Sequence, residues 1–204
     1  MIITIGRQYG SMGRMIGKKL AETLGIPYYD KEILSLAAKN SGICEELIHE
    51  HDEKPNQSLL FSIVSNFRTG NDLGSLQVDL PLNHKIFLAQ FDAIKKIAAE
   101  GSCVIVGRCA DYVLRDNKNA IHIFVYADLE TRVKNAAEYL QVDKKEAQRI
   151  VQKNDKERNN YYNYFSGRKW GESTHYDLCI NTTHLDATTA ADMIAHLVQY
   201  IDKK

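Results

Sequence analysis

Apolar residues along this chain follow two rhythms. Short runs rich in β-branched residues, Met1-Ile2-Ile3-Thr4-Ile5, Cys103-Val104-Ile105-Val106 and Ala120-Ile121-His122-Ile123-Phe124-Val125-Tyr126, read as strands. Between them apolar positions recur at helical spacing: Ile16, Leu20, Ala21 and Leu24 predict a helix that Gly25 stops. Ile26-Pro27-Tyr28-Tyr29 predicts a short second strand, with Asp30 as the N-cap of a helix running to about Asn40. A further helix is expected from about Leu82 to Ala99, closed by Gly101. Asp128 is placed to cap a helix to Tyr139, and a long charged helix follows from Asp143 to about Tyr164. Tyr176-Asp177-Leu178-Cys179-Ile180-Asn181 is the fifth strand, and Ala187 to Ile201 the closing helix.

The stretch 42–84 is less regular. Glu45 to His51 and Ser58 to Phe67 carry helical patterns on either side of Lys54-Pro55-Asn56, and Thr69 to Ser75 is polar and glycine-containing, as in a flexible loop. Neither repeats nor low-complexity tracts interrupt the alternation of strand and helix. Such alternation predicts an α/β fold of three layers (α/β/α), with a five-stranded parallel sheet, ligands at the carboxyl ends of its strands, and one domain over 1–204.

Composition narrows the function only a little. The 204 residues are 44% hydrophobic, and 26 basic residues balance 26 acidic ones. Neutrality argues against a broad nucleic-acid surface, while local basic clusters can still hold small phosphates. The four cysteines, Cys44, Cys103, Cys109 and Cys179, are scattered without metal-ligand spacing, which fits buried free thiols. No apolar run reaches membrane-spanning length and the chain starts directly on a strand, so a cytoplasmic protein with no membrane partner is expected. Nothing in the sequence marks a dimer interface.

Chemistry concentrates where the first strand breaks. Gly6-Arg7-Gln8-Tyr9-Gly10-Ser11-Met12-Gly13-Arg14 joins a strand to a helix through glycines. Glycines permit close backbone approach, and the free amides at a helix start attract anionic oxygens. The P-loop pattern requires Lys and a hydroxyl after its last glycine. Here Arg14 and Met15 stand there. Arg14 is therefore the candidate for the lysine's electrostatic role, Arg7 a second contact, and Ser11 the loop hydroxyl available to a metal.

Three further features are candidates. Gly107-Arg108 ends the third strand, where an arginine suits a second phosphate, and Asp111 follows closely enough to hold a substrate group or a metal-bound water. The cationic stretch from Lys144 to Arg168 lies after the fourth strand, where a phosphoryl-transfer enzyme carries a closing lid. Within it Asp155 and Arg158 are spaced to pair with one another on one helix face. Tyr161, Tyr162, Tyr164, Phe165 and Trp170 are read as packing residues, one of which can stack on a base.

The segments ITIGRQYGSMGRMIGKKLAE (3–22), IPYYDKEIL (26–34), VIVGRCADYVL (104–114), DKERNNYYNYF (155–165) and KWGESTHYDLCINT (169–182) resemble the cytidylate kinase-like family, relatives of the P-loop nucleoside monophosphate kinases. The resemblance implies a P-loop NTPase-type domain with a helical lid, taken here as 140–170, and an acceptor-side insertion, taken as 42–84. It implies ATP as phosphoryl donor, Mg2+, and nucleotides rather than nucleic-acid polymers as partners. Gly10, Ser11, Met12, Gly13, Arg14 and Met15 would surround the donor phosphates. Arg108 matches the arginine that holds the acceptor phosphate, Asp155 and Arg158 match an Asp-x-x-Arg pair at the acceptor, and Asp30 matches an aspartate near it. Arg14, Arg108 and Arg158 are then the expected catalytic residues, and Asp111 an acceptor contact. Cys109 stands where cytidylate kinases carry aspartate, and Met12 where relatives often have glycine. Three functions stay open: phosphorylation of CMP or dCMP, phosphorylation of another small acceptor, and nucleotide sensing with little transfer.

Overall fold

The computed structural model describes residues 1–50, 52–53 and 80–202. The expected helix over Ser58 to Phe67, the Lys54-Pro55-Asn56 break and the Thr69 to Ser75 loop lie outside the described residues.

Strands β1 (Ile2–Arg7), β2 (Tyr28–Tyr29), β3 (Cys103–Val106), β4 (Ala120–Tyr126) and β5 (Leu178–Asn181) form one parallel sheet in the order β2-β3-β1-β4-β5. Side chains alternate across it. Ile3, Ile5, Val104, Val106 and Ile123 pack against Ile16 and Leu20 of α1 (Gly13–Leu24) and Ala190 and Ile194 of α8 (Ala187–Asp202). Ile2, Cys103 and Ile105 face Ile33 and Leu34 of α2 (Glu32–Ser41) and Ile86 and Ile94 of α4 (Leu82–Glu100). A strand covered on both faces reads as a continuous apolar run, which is why β3 and β4 were visible as such. Burial of each such aliphatic side chain stabilises the fold by about 1.5–3 kcal/mol.

Between these elements lie α3 (Glu45–Glu50), a short α5 (Ala110–Val113), and the pair α6 (Leu129–Leu140) and α7 (Lys144–Ser166). The pair starts as expected, with Asp128 accepting the Thr131 amide at 2.6 Å and Asp143 accepting that of Glu146 at 2.8 Å. Asp30 does not cap α2. The residue before that helix is Lys31, without a side-chain cap, and the Asp30 carboxylate turns to arginines instead. Two guanidiniums offer a buried carboxylate more than a helix amide does. The helix α5 and the 3-10 turn Ser173–His175 had no periodic signal, because each is about a turn long.

Cys103 and Cys109 are buried free thiols, Cys179 is half-buried, and Cys44 is exposed against expectation. Among the described residues, no helix is long and apolar enough to cross a membrane.

Candidate active site

Central strand β1 is flanked by β3 on one side and β4 on the other, so the chain reverses its winding direction at its end. Loops leaving adjacent strands diverge at such a point and open a crevice. The loop after β1, the turn after β3 and helix α7 meet there.

The loop after β1 packs closely against α6. Gly10 has φ 79°, and a Cβ there would collide with the Arg132 carbonyl. Helix α1 begins at Gly13, and its first i→i−4 bond runs from the Ile16 amide to Met12 O at 2.9 Å. The amides of Gly13, Arg14 and Met15 therefore precede the helical ladder. Their partial positive charge adds to that of the helix terminus, which suits phosphate oxygens. Met12 adopts φ 64°, a left-handed conformation that glycine takes without steric cost.

Ser11 belongs to the floor of this loop. Its hydroxyl donates to Gln8 O at 2.8 Å and lies 3.1 Å from Val125 O, and Thr182 Oγ1 donates to Ser11 O at 3.1 Å. The hydroxyl therefore faces the sheet, not the loop mouth, which corrects its expected availability to a metal. Met15 offers no oxygen ligand, and among the described residues no group of acidic, His or Cys side chains is arranged to hold a metal. The loop does not supply the hydroxyl ligand that P-loop enzymes give Mg2+.

Across the crevice lies an arginine cluster built from distant segments. Arg108 follows β3 in a turn where Gly107, Arg108 and Cys109 all have positive φ (81°, 54° and 55°). Two non-glycine residues in that region carry strain of order 1–3 kcal/mol each, held by what surrounds them. The turn buries the Arg108 guanidinium, which reaches Asp30 Oδ1 at 3.1 Å and Asp52 Oδ2 at 2.9 Å. Arg14 Nε lies 2.6 Å from the other Asp30 oxygen. Asp30 thus ties the start of α1 to the turn after β3.

Arg7 and Arg158 complete the cluster around Glu53. Arg7 Nη1 lies 2.8 Å from Glu53 Oε1, and Arg158 Nε 3.2 Å from Oε2. Arg158 also donates to Arg7 O at 3.3 Å and stands 5.4 Å from the Tyr9 ring centroid. Burial and the neighbouring Arg7 push Arg158 down to about 10, so it remains charged at neutral pH. Asp155 does not pair with Arg158, as its spacing allowed. It binds Arg132 and accepts the Tyr9 amide at 2.7 Å, fastening α7 and α6 to the loop.

Asp111 sits behind the arginines. It is buried on α5 and accepts the Tyr162 hydroxyl at 2.6 Å, and burial raises its carboxyl above the usual range. The aromatic residues pack inward: Tyr161 donates to Gln90 at 2.8 Å, Phe165 stacks on Phe87 at 4.1 Å, and Trp170 meets Phe124 edge-on at 5.4 Å. Tyr164 bonds His84 at 3.0 Å.

The fold and the loop now carry an identification. The cytidylate kinase-like family matches residues 2–184. The chain belongs to that family. A protein of Eubacterium ventriosum is 35% identical to this chain, with a TM-score of 0.72 over 100% of this chain and 99% of that one. The fold is that of P-loop kinases. Shikimate kinase from Bacteroides thetaiotaomicron aligns at TM-score 0.55 and 12% identity, covering 98% of each chain. Shikimate kinase from Acinetobacter baumannii in complex with shikimate aligns at 0.54 and 15% identity, covering 100% of this chain and 94% of that one. No curated protein matches this chain.

Asp52, Glu53 and Arg132 escaped the sequence reading. Glu53 is 46 residues from Arg7 and 105 from Arg158 along the chain. Only the acidic doublet ahead of Pro55 hinted at it. Arg132 is buried, which its place among the charges of α6 does not signal.

Proposed function

We propose that this family member transfers the γ-phosphoryl group of ATP to a nucleoside monophosphate, with CMP and dCMP as the first acceptors to test. The observation that carries this reading is the link Arg14–Asp30–Arg108, which joins the glycine loop after β1 to a buried arginine cluster. Phosphoryl transfer depends on positioning and on neutralising charge over the transferred group. In this reading the amides of residues 13–15 and Arg14 hold the donor phosphates. Arg108 and Arg158 hold the acceptor phosphate, which is already a competent nucleophile and requires no general base. Helix α7 and the loop before it, within 140–170, act as the lid, and the 42–84 segment supplies the acceptor side. Mg2+ would then be held by the nucleotide's phosphates and water.

The shared fold with a shikimate complex supports a second reading, in which the acceptor is another small molecule. Met15 in the hydroxyl position supports a third, nucleotide sensing with little transfer. ADP formation from ATP and Mg2+, measured with each candidate acceptor beside thermal shift, separates them. Acceptor-dependent ADP with CMP or dCMP supports the first reading, and turnover with a non-nucleotide acceptor alone replaces it with the second. Stabilisation by ATP without any acceptor-dependent ADP sinks both. Arg14→Ala is expected to weaken ATP binding about tenfold, the loss of one charge-assisted contact. Unchanged affinity removes Arg14 from the site.

A further inference from the structure

Glu53 is held as a bound anion would be. Its Oε1 takes Arg7 Nη1 at 2.8 Å and the Arg108 amide at 3.3 Å, while Oε2 takes Arg158 Nε at 3.2 Å. The backbone at Gly107 is stripped for this approach: a Cβ there would lie 2.6 Å from Glu53 Oε1. Burial alone would raise the Glu53 carboxyl; the charges of Arg7, Arg158 and Arg108 outweigh that and hold it well below its ordinary range.

Two further observations mark this contact as costly. Arg108 is buried, yet its Nε has no partner among the described residues. Glu53 itself adopts φ 54°, a left-handed conformation that costs a non-glycine residue about 1–2 kcal/mol. The backbone does not favour this pose; the guanidiniums impose it. A carboxylate presents its acceptor sites in one plane, whereas a tetrahedral oxyanion also presents oxygens out of that plane to the donors around it.

We propose that Arg7, Arg158 and the Arg108 turn form a seat for a tetrahedral oxyanion, a phosphate monoester dianion or free phosphate, and that Glu53 is its internal occupant. The ligand enters by exchange, not addition. With Glu53 in place the remaining cavity, lined by Arg7, Arg108, Asp111, Arg158 and Tyr176, measures only about 20 Å³, room for about one water. A phosphate must therefore displace the carboxylate, and its apparent affinity falls by the fraction of molecules in which Glu53 has left. That the ester is the acceptor's rests on the proposed function; oxyanion binding in the seat does not.

Titration calorimetry with inorganic phosphate, without ATP, tests this on the full chain. Glu53→Gln is expected to bind phosphate at least tenfold more tightly than the wild type, and adding Arg7→Gln to that variant is expected to abolish the gain. Affinity in Glu53→Gln equal to or weaker than wild type overturns the proposal. So does a gain that survives Arg7→Gln. Should Glu53→Gln fail to fold in phosphate-free buffer, Glu53→Asp decides. Its shorter reach is expected to give a several-fold gain, and no gain overturns the exchange. The proposed function fails separately: a phosphate gain without acceptor-dependent ADP leaves the seat and removes the kinase, and the reverse pattern removes only the seat.

Discussion

Arg108 Nη1 stands 3.1 Å from Asp30 Oδ1, with the side chains only 2% and 6% exposed. A pair so deeply buried cannot be cut at one end without leaving a charge in the interior. Breaking such a pair costs about 3–5 kcal/mol, although the intact pair contributes little net stability.

Arg108→Ala is therefore expected to lose about 3–5 kcal/mol in urea unfolding, because Asp30 and Asp52 both lose their Arg108 contacts. Arg108→Lys keeps the charge without the fork and should lose less. Kinetics belong to the lysine variant. There, a raised acceptor KM with kcat unchanged means that the arginine binds the acceptor, and a fall in kcat means contact with the transition state. If Arg108→Ala melts with the wild type, the buried pairing described here is wrong.

Met12 gives a test of loop strain. Its φ of 64° is costly for a side chain with a Cβ and worst for a β-branched one. Met12→Gly should change stability by less than about 1 kcal/mol, since relief of strain offsets the greater freedom of the unfolded chain. Met12→Val should lose more than about 1 kcal/mol. Equal melting temperatures for the two variants would show that the loop relaxes without cost.

Acid stability should depend on Glu53. Arg7 from β1, Arg158 from α7 and Arg108 from the turn after β3 face it, with Asp52 beside it. Its pKa is lowered in the folded chain from an ordinary 4.5. Between those two values the unfolded chain binds more protons, so stability rises with pH. The contribution is complete above pH 4.5 and fades as the pH falls toward the folded value. Urea unfolding should show the wild type more stable than Glu53→Gln at pH 7, with the gap narrowing below pH 4.5. A constant gap would mean that the Glu53 charge is not held by the arginines.

The layered fold was legible because its signals are local. Cys103–Val106 and Ala120–Tyr126 are apolar runs of strand length, and Asp128 and Asp143 are caps lying next to the amides they accept. The glycine loop after β1 was legible for the same reason, since Gly10, Gly13 and Arg14 are neighbours in sequence. Even so, the orientation of Ser11 and the duty of Asp30 depended on partners elsewhere: Val125 O for one, Arg14 and Arg108 for the other.

By itself, then, the sequence determined an α/β kinase-like domain with a glycine loop after its first strand, since periodicity, caps and loop glycines act over a few residues. Only the tertiary structure decided which charges meet. Glu53 lies between Arg7 and Arg158 because β1, the segment after α3 and helix α7 converge at one end of the sheet. Coulombic attraction depends on distance through space, and no spacing along the chain encodes it.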